Sequence, residues 1–388
     1  MPGDSTPDTG IADEARASDP RHPAPGHSSK ARGKAPRGKA RSRRHKALLV
    51  AAWTASGVLV LGGTGVGYLY FRLNHNIKGI DIDRALGTDR PPKTDNGSEN
   101  ILVLGSDTRS GSNRELGGGA DDGSARSDTA MIVHLYKGHK RAAVVSLPRD
   151  TLVDRPECTD GKGTVHPAAS SVMFNSAYST GGAVCAVKTV ESITGIRMDH
   201  YIEVDFSGFQ KLVDGLGGVR VTTTKDIDDQ DSHLSLKAGT HTLDGRQALG
   251  LVRTRHGVGD GSDLGRIQLQ QAFIKALADQ IDHIGVLTSP DKLYDLADTA
   301  TKAVTTDSDL ASVKDLASFA GGLKGIGASH MNTVTTPVRY DPADPDRVIL
   351  EQAKAQQVWN ALKNDKPVPA SATKGTATGA AEGVVTLS

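Results

Sequence analysis

No G-x-S-x-G nucleophile elbow occurs in this sequence, and none of its thirteen histidines belongs to an H-E-x-x-H pair. The first absence sets aside α/β-hydrolase chemistry, and the second sets aside a zinc centre of that kind. Cysteine is nearly missing, with only Cys158 and Cys185 in 388 residues. The acidic run DIDDQD at 226–231 lacks the glycine and the closing glutamate of a calcium loop and reads as a solvated turn. GTGVG at 63–67 has the look of a dinucleotide loop, but no strand–turn–helix unit surrounds it. Its G-x-x-x-G spacing is at most a weak helix-packing signal.

Charge of either sign is also missing from residues 47–71, a run of 25 residues that contains Trp53 near one end and Tyr68 and Tyr70 near the other. About 20 apolar residues span the hydrocarbon core of a bilayer, and aromatic side chains favour its two interfaces. The formal net charge of +1 hides an asymmetry: residues 1–46 hold eleven Lys/Arg against five Asp/Glu, and the rest holds 35 against 40. Nine of those basic residues lie between Lys30 and Lys46 with no acid among them, whereas residues 72–99 are balanced. The positive-inside bias therefore predicts a single-pass anchor with a cytoplasmic N-terminus and everything after Phe71 outside. A basic run this close to a span is read as a topology signal, so no nucleic-acid partner is expected. No A-x-A site follows the run, which argues against a cleaved signal peptide. Ser42-Arg43-Arg44 resembles a twin-arginine signal, though the residues after it fit that pattern poorly.

The chain divides by composition. Residues 1–46 form a disordered basic arm, 47–71 the transmembrane helix and 72–97 a linker. Residues 98–285 interleave apolar runs and helical periodicities. Strands are expected at 101–104, 129–135, 142–146, 201–204 and 219–223, and helices at 183–193, 206–216, 243–252 and 264–281. That alternation predicts an α/β fold, a layered α/β/α domain with a central mixed sheet. Residues 286–365 are expected to form a mainly helical extension, with a possible strand at 333–336, and the Ala/Thr/Gly/Pro-rich stretch 366–388 a disordered tail. The polar loop 110–127 is too long for a turn, as functional loops often are. In an extracytoplasmic domain two cysteines predict a disulfide, here Cys158 to Cys185 around Asn175.

Acidic and basic residues gather at the strand–loop junctions past the span: Asp107 with Arg109, Arg126 with Asp128, Arg149 with Asp150, Arg253 with Arg255, and Asp260 and Asp263 with Arg266. The planar fork of arginine suits phosphate oxygens, and one or two carboxylates beside phosphates suit Mg²⁺. The chemistry implied is phosphoryl transfer on a pyrophosphate, driven by positioning and charge neutralisation. Surface arginines pairing with aspartates would give the same pattern.

NILVLGSDTR at 100–109, RSDTAM at 126–131, VSLPRDT at 145–151, FNSA at 174–177 with Gly181 and Gly182, DHY at 199–201 with VDFSGF at 204–209, LDGRQALGLVRTR at 243–255 and DLGRIQLQQ at 263–271 follow one another in order. Together they resemble the LytR-CpsA-Psr family across roughly residues 98–280. The resemblance implies a membrane-anchored extracytoplasmic phosphotransferase. Such an enzyme moves a wall glycopolymer, teichoic acid or a similar polysaccharide, from an undecaprenyl-pyrophosphate carrier onto peptidoglycan through a phosphodiester bond. A non-catalytic sensor or scaffold for lipid-linked wall precursors is the alternative it leaves open, and a pyrophosphatase is a third. By the same resemblance Asp107 and Asp128 hold Mg²⁺, and Arg149, Arg253 and Arg255 grip the pyrophosphate. Gln270 meets its head group, Arg109, Arg126 and Arg266 line the same pocket, and Asp150 orients Arg149. The resemblance also implies a hydrophobic tunnel for the prenyl chain, with Phe206, Phe209, Leu212 and Val213 as lining. One departure stands out: the family commonly has arginine where this chain has Leu269, which removes one charge from the expected pocket rim. His200 is read as structural.

Overall fold

The computed structural model of the chain describes residues 67–107, 126–283 and 290–387, together with Leu48, Thr54, Thr64 and Gly65. It divides into Met1–Gly62 and Gly63–Ser388, and the description below concerns the second unit. The expected basic arm, Arg109, most of loop 110–127 and most of the expected span lie outside the described residues. Among the described residues no helix is long and apolar enough to cross a membrane.

Seven strands build the central sheet: β1 (Lys78–Ile80), β2 (Glu99–Asp107), β3 (Arg126–Leu135), β4 (Ala142–Ser146), β5 (His200–Asp205), β6 (Val304–Asp307) and β7 (Met331–Thr335). They run in the order β1-β6-β5-β2-β3-β4-β7. Pairs β2/β3, β3/β4 and β5/β6 are antiparallel, whereas β1/β6, β2/β5 and β4/β7 are parallel. The sheet is mixed, as expected. Its middle strands are apolar on both faces because both faces are covered. Leu102, Leu104, Ala130, Ile132 and Val145 pack with Val184, Val187 and Val190 of helix α1 (Asn175–Thr194). Ile101 and Leu135 pack on the other side with Ile326 and Phe319.

Five further helices matter for the site and the sheet edges: α2 (Phe206–Gly215), α3 (Gly245–Arg253), α4 (Asp263–His283), α5 (Pro290–Ala303) and, near the C-terminus, α6 (Gln352–Lys363). A capping box closes the start of α3, with Asp244 accepting from the Gln247 backbone at 2.8 Å and Gln247 accepting from the Asp244 backbone at 3.2 Å. The Cys158–Cys185 disulfide is present, with Cα atoms 5.3 Å apart. It explains one glycine of the sequence. A Cβ on Gly181 would fall 2.1 Å from the Cys185 Sγ, so the helix can kink past the bridge only with hydrogen at that position.

Three expectations about organisation are corrected. Residues 286–365 are no separate helical extension: they supply β6 and β7 to the central sheet, and a third strand, Val348–Leu350, pairs in parallel with Thr151–Arg155. Short β-branched runs there are stabilised by distant partners, which local periodicity cannot reveal. The tail is ordered too. Ala372, Ala381, Val384 and Val385 are buried, and Val385 pairs with Thr223 at the edge of the strand Val219–Thr223. The segment 72–97 is no bare linker either, because β1 joins the sheet, Ile82 and Leu86 are buried, and the guanidinium of Arg90 is buried against Glu191 at 2.6 Å.

Candidate active site

The site begins with an irregularity in pairing. Along β2 and β3, Gly105 lies opposite Thr129, but Ser106 lies opposite Ser127, so Asp128 is an extra residue. Strict alternation would have turned Asp128 toward the apolar face that carries Ala130 and Ile132. The β-bulge re-aims it, and Asp128 instead lines a cleft of about 290 Å³. Asp107 ends β2 on the neighbouring strand and is 5% exposed. Its Cα partner is Arg126, whose side chain lies outside the described set.

Arg149 follows β4 in a turn closed by the Thr151 N–H donating to the Pro148 carbonyl at 3.1 Å. Its guanidinium donates to Asp128, and Nε lies 3.5 Å from Asp150 and 3.6 Å from Asp263. Burial works against charge on Arg149, but the three carboxylates outweigh it and raise its pKa. Burial also opposes ionisation of Asp128, and here Arg149, Arg266 and Arg255 prevail and hold the carboxyl below its usual range. Asp150 goes the other way: burial and the nearby Asp263 raise it.

Helix α4 brings the second half. Asp263 opens it, and its carboxylate pairs with Arg266 one turn on and with Arg255 at 3.0 Å. Arg266 also donates to the Asp128 carbonyl at 3.1 Å. It is 5% exposed, and burial, reinforced by Arg255 and Arg149 against the pull of Asp263, brings it down to about 10. The Nε atoms of Arg149 and Arg266 are buried without a hydrogen-bond acceptor among the described residues. Buried donors of that kind ordinarily find a partner; for Arg149 the nearest are the carboxylates of Asp150 and Asp263.

Gln270 lies one turn beyond Arg266, and its amide donates at 3.0 Å to both the Thr129 hydroxyl and the Val252 carbonyl. It lines the cleft while tying β3 to the end of α3. Arg253 lies over the Phe206 ring, 4.8 Å from its centroid. Of the four side chains expected to line a tunnel, Phe206 faces the cleft, Val213 is in the core, and Phe209 packs on Phe273 with ring centroids 5.5 Å apart.

Leu269 is not at the pocket rim. It is 1% exposed in the cluster with Leu251 and Phe273, whereas Gln270, about 100° further round the helix, lines the cleft. The acidic run 226–231 is solvated at Asp226, Asp228, Gln230 and Asp231 but not at Asp229. Asp229, 2% exposed, accepts the backbone N–H groups of Arg255 at 2.8 Å and His256 at 2.9 Å on one oxygen. Its other oxygen takes those of Asp231 at 3.0 Å and Ser232 at 3.1 Å. This residue positions the arginine loop and was missed because nothing in a run of acids marks the buried one. His200 is packed as expected, with Nδ1 3.3 Å from Asp307 and its ring edge-on to Phe319.

The model of the LytR_cpsA_psr family matches residues 69–364. The chain belongs to the LytR-CpsA-Psr family. It is 31% identical over 328 residues to the polyisoprenyl-teichoic acid–peptidoglycan teichoic acid transferase TagT of Bacillus subtilis, covering 82% of this chain and 93% of TagT. It is also 31% identical over 307 residues to the cell wall biosynthesis protein LcpA of Corynebacterium glutamicum, covering 72% of this chain but only 58% of LcpA. The regulatory protein MsrR of Staphylococcus aureus is 30% identical over 257 residues, 65% of this chain and 68% of MsrR. Among solved structures, B. subtilis TagV aligns with a TM-score of 0.54 at 26% identity, over 69% of this chain and 96% of TagV. TagT bound to LIIa-WTA aligns with a TM-score of 0.53 at 27% identity, over 72% of this chain and 94% of that one. The mixed α/β fold of this LytR-CpsA-Psr protein is thus shared with its relatives.

Proposed function

We propose that this protein is an extracytoplasmic phosphotransferase, held in the membrane by residues 47–71 with its N-terminus in the cytoplasm. It attaches an undecaprenyl-pyrophosphate-linked wall glycopolymer to peptidoglycan through a phosphodiester bond. The observation that carries the reading is the convergence of Arg149, Arg253, Arg255 and Arg266 on one cleft. Four guanidinium forks match the oxygens of a pyrophosphate and the charge that spreads over them during transfer. TagT, similar over most of both chains, is named as a polyisoprenyl-teichoic acid–peptidoglycan teichoic acid transferase.

In such a reaction the arginines bind and orient the pyrophosphate, and the aspartates keep the guanidinium planes fixed between turnovers. Arg149 would exchange part of its contact with Asp128 for a phosphate oxygen when donor enters. Asp107 and Asp128, at adjacent strand ends, form an all-oxygen donor pair that fits Mg²⁺ completed by phosphate and water. Bound there, the ion would neutralise charge on the pyrophosphate.

The test uses the full chain in detergent with Mg²⁺, a synthetic polyprenyl-pyrophosphate-linked glycan and peptidoglycan oligomers. The expected product is glycan joined to peptidoglycan with release of prenyl phosphate, and Arg255→Ala should slow it by roughly 100-fold. Tight donor binding with no product would favour a sensing or scaffolding role, for which the regulatory name of MsrR is the precedent. Release of free glycan phosphate to water would favour a pyrophosphatase.

A further inference from the structure

Transfer to a sugar hydroxyl needs a group that takes the hydroxyl proton, and the carboxylates around the arginines are engaged. Asp128 is bound to Arg149, Asp150 faces Arg149, and Asp263 is shared by Arg255, Arg266 and Arg149. The other titratable acids and histidine lining the cleft are Asp229, Asp231 and His256. Asp229 is buried and spent on four backbone N–H groups. His256 and Asp231 remain, with Nε2 3.5 Å from Oδ2 and side chains 66% and 83% exposed, so the pair stands at the mouth of the cleft.

Resting on the transfer reading above, we propose that His256, oriented by Asp231, is the general base that takes the proton of the acceptor hydroxyl. With the donor pyrophosphate on the arginines, the more exposed His256 and Asp231 of the same cleft stand on the side from which an acceptor would approach. The pair is exposed at its tips but anchored at its base. The single buried carboxylate of Asp229 fixes the backbones of Asp231, Arg255 and His256 together, which ties the acceptor side of the site to the donor side. Gly257 continues the anchoring: at φ +77° it lets the loop run against the Asp228 carbonyl, 2.3 Å from where a Cβ would stand. The charged groups at His256 are Asp231 beside its ring, Asp229 on its backbone N–H and Arg255, its neighbour in the chain.

Asp231 lies beside Nε2, so Nδ1 is the ring nitrogen left to take the proton. Gly261 is the residue beside Nδ1, and even an added Cβ would stay 3.8 Å away. In the step, the acceptor oxygen forms a bond to the glycan-linked phosphorus and its proton passes to Nδ1. The bridging P–O bond breaks, and its electron pair leaves with the prenyl phosphate.

The experiment uses the full chain, the same synthetic donor, peptidoglycan oligomers and Mg²⁺. His256→Ala should lower kcat by roughly 100-fold, a usual contribution of a general base. Donor Kd and Tm should stay unchanged, since exposed ion pairs contribute little to stability. The acidic limb of the pH–rate profile should flatten, and imidazole in solution should restore part of the rate through the open rim. Asp231→Asn should fall between wild type and His256→Ala. A kcat within about threefold of wild type overturns the assignment. So does a loss that keeps the acidic limb and resists imidazole, since that outcome marks a structural role. If wild type binds donor yet yields no product, the transfer reading fails and this assignment with it.

Discussion

The ion cluster at the start of α4 makes a strong prediction about Asp263. Its carboxylate, 13% exposed, faces Arg266, Arg255 at 3.0 Å and Arg149 at 3.6 Å. Asp263→Asn keeps the shape and removes the charge. Three guanidinium groups would then share Asp128 and Asp150 alone, and Arg266, already lowered to about 10 by burial and its neighbours, would lose its strongest support. Removing one partner of a buried pair costs about 3–5 kcal/mol. The low end applies, because Arg255 is 30% exposed and Arg149 keeps two other carboxylates. About 3 kcal/mol corresponds to a fall in Tm of about 6 °C at this domain size. Thermal unfolding of the full chain in detergent measures it. Inorganic pyrophosphate should then stabilise the variant more than wild type, since an anion replaces the missing charge. A variant Tm within about 1 °C of wild type, with no added response to pyrophosphate, would show that the cluster is not held in the way described.

Three further predictions rest on other parts of the fold. Asp307 outweighs the burial of His200 and raises its pKa, so its stabilisation is complete below the ordinary histidine range near about 6.5 and is lost as pH rises through the raised value. His200→Gln should therefore reduce the fall in Tm between about pH 6 and pH 8. Cys158 and Cys185, 27 residues apart, restrain the unfolded chain by about 3.5 kcal/mol; reduction, or Cys158→Ser, should lower Tm accordingly, and an unchanged Tm would refute that. Leu269→Arg restores the residue common in the family, but at a position 1% exposed. It should cost about 3 kcal/mol or more in Tm measurements and leave pyrophosphate affinity unimproved. Tighter binding without destabilisation would place residue 269 at the pocket.

Much of this protein is determined locally, and the sequence alone determined it. The strands Ala142–Ser146 and Val219–Thr223 fall where the apolar runs place them, and the two cysteines pair because few alternatives exist. The ordered motifs are specific enough to name the family, since charged side chains recur at strand ends and loops that short motifs encode. Tertiary structure decided the rest, because the deciding partners are far apart in the chain. β6 and β7 are strands through pairing with β5 and β4, and the C-terminal tail is ordered because it closes the core around Val219 and Leu243. A one-residue bulge turns Asp128 from the apolar face to the cleft, and helical phase buries Leu269 while its neighbour Gln270 lines the site. Asp229 is the clearest case. In sequence it is one acid among several in a polar run, and only burial against the N–H groups of Arg255 and His256 makes it the anchor of the site, since the cost of a buried, unsatisfied polar group arises only once distant segments meet.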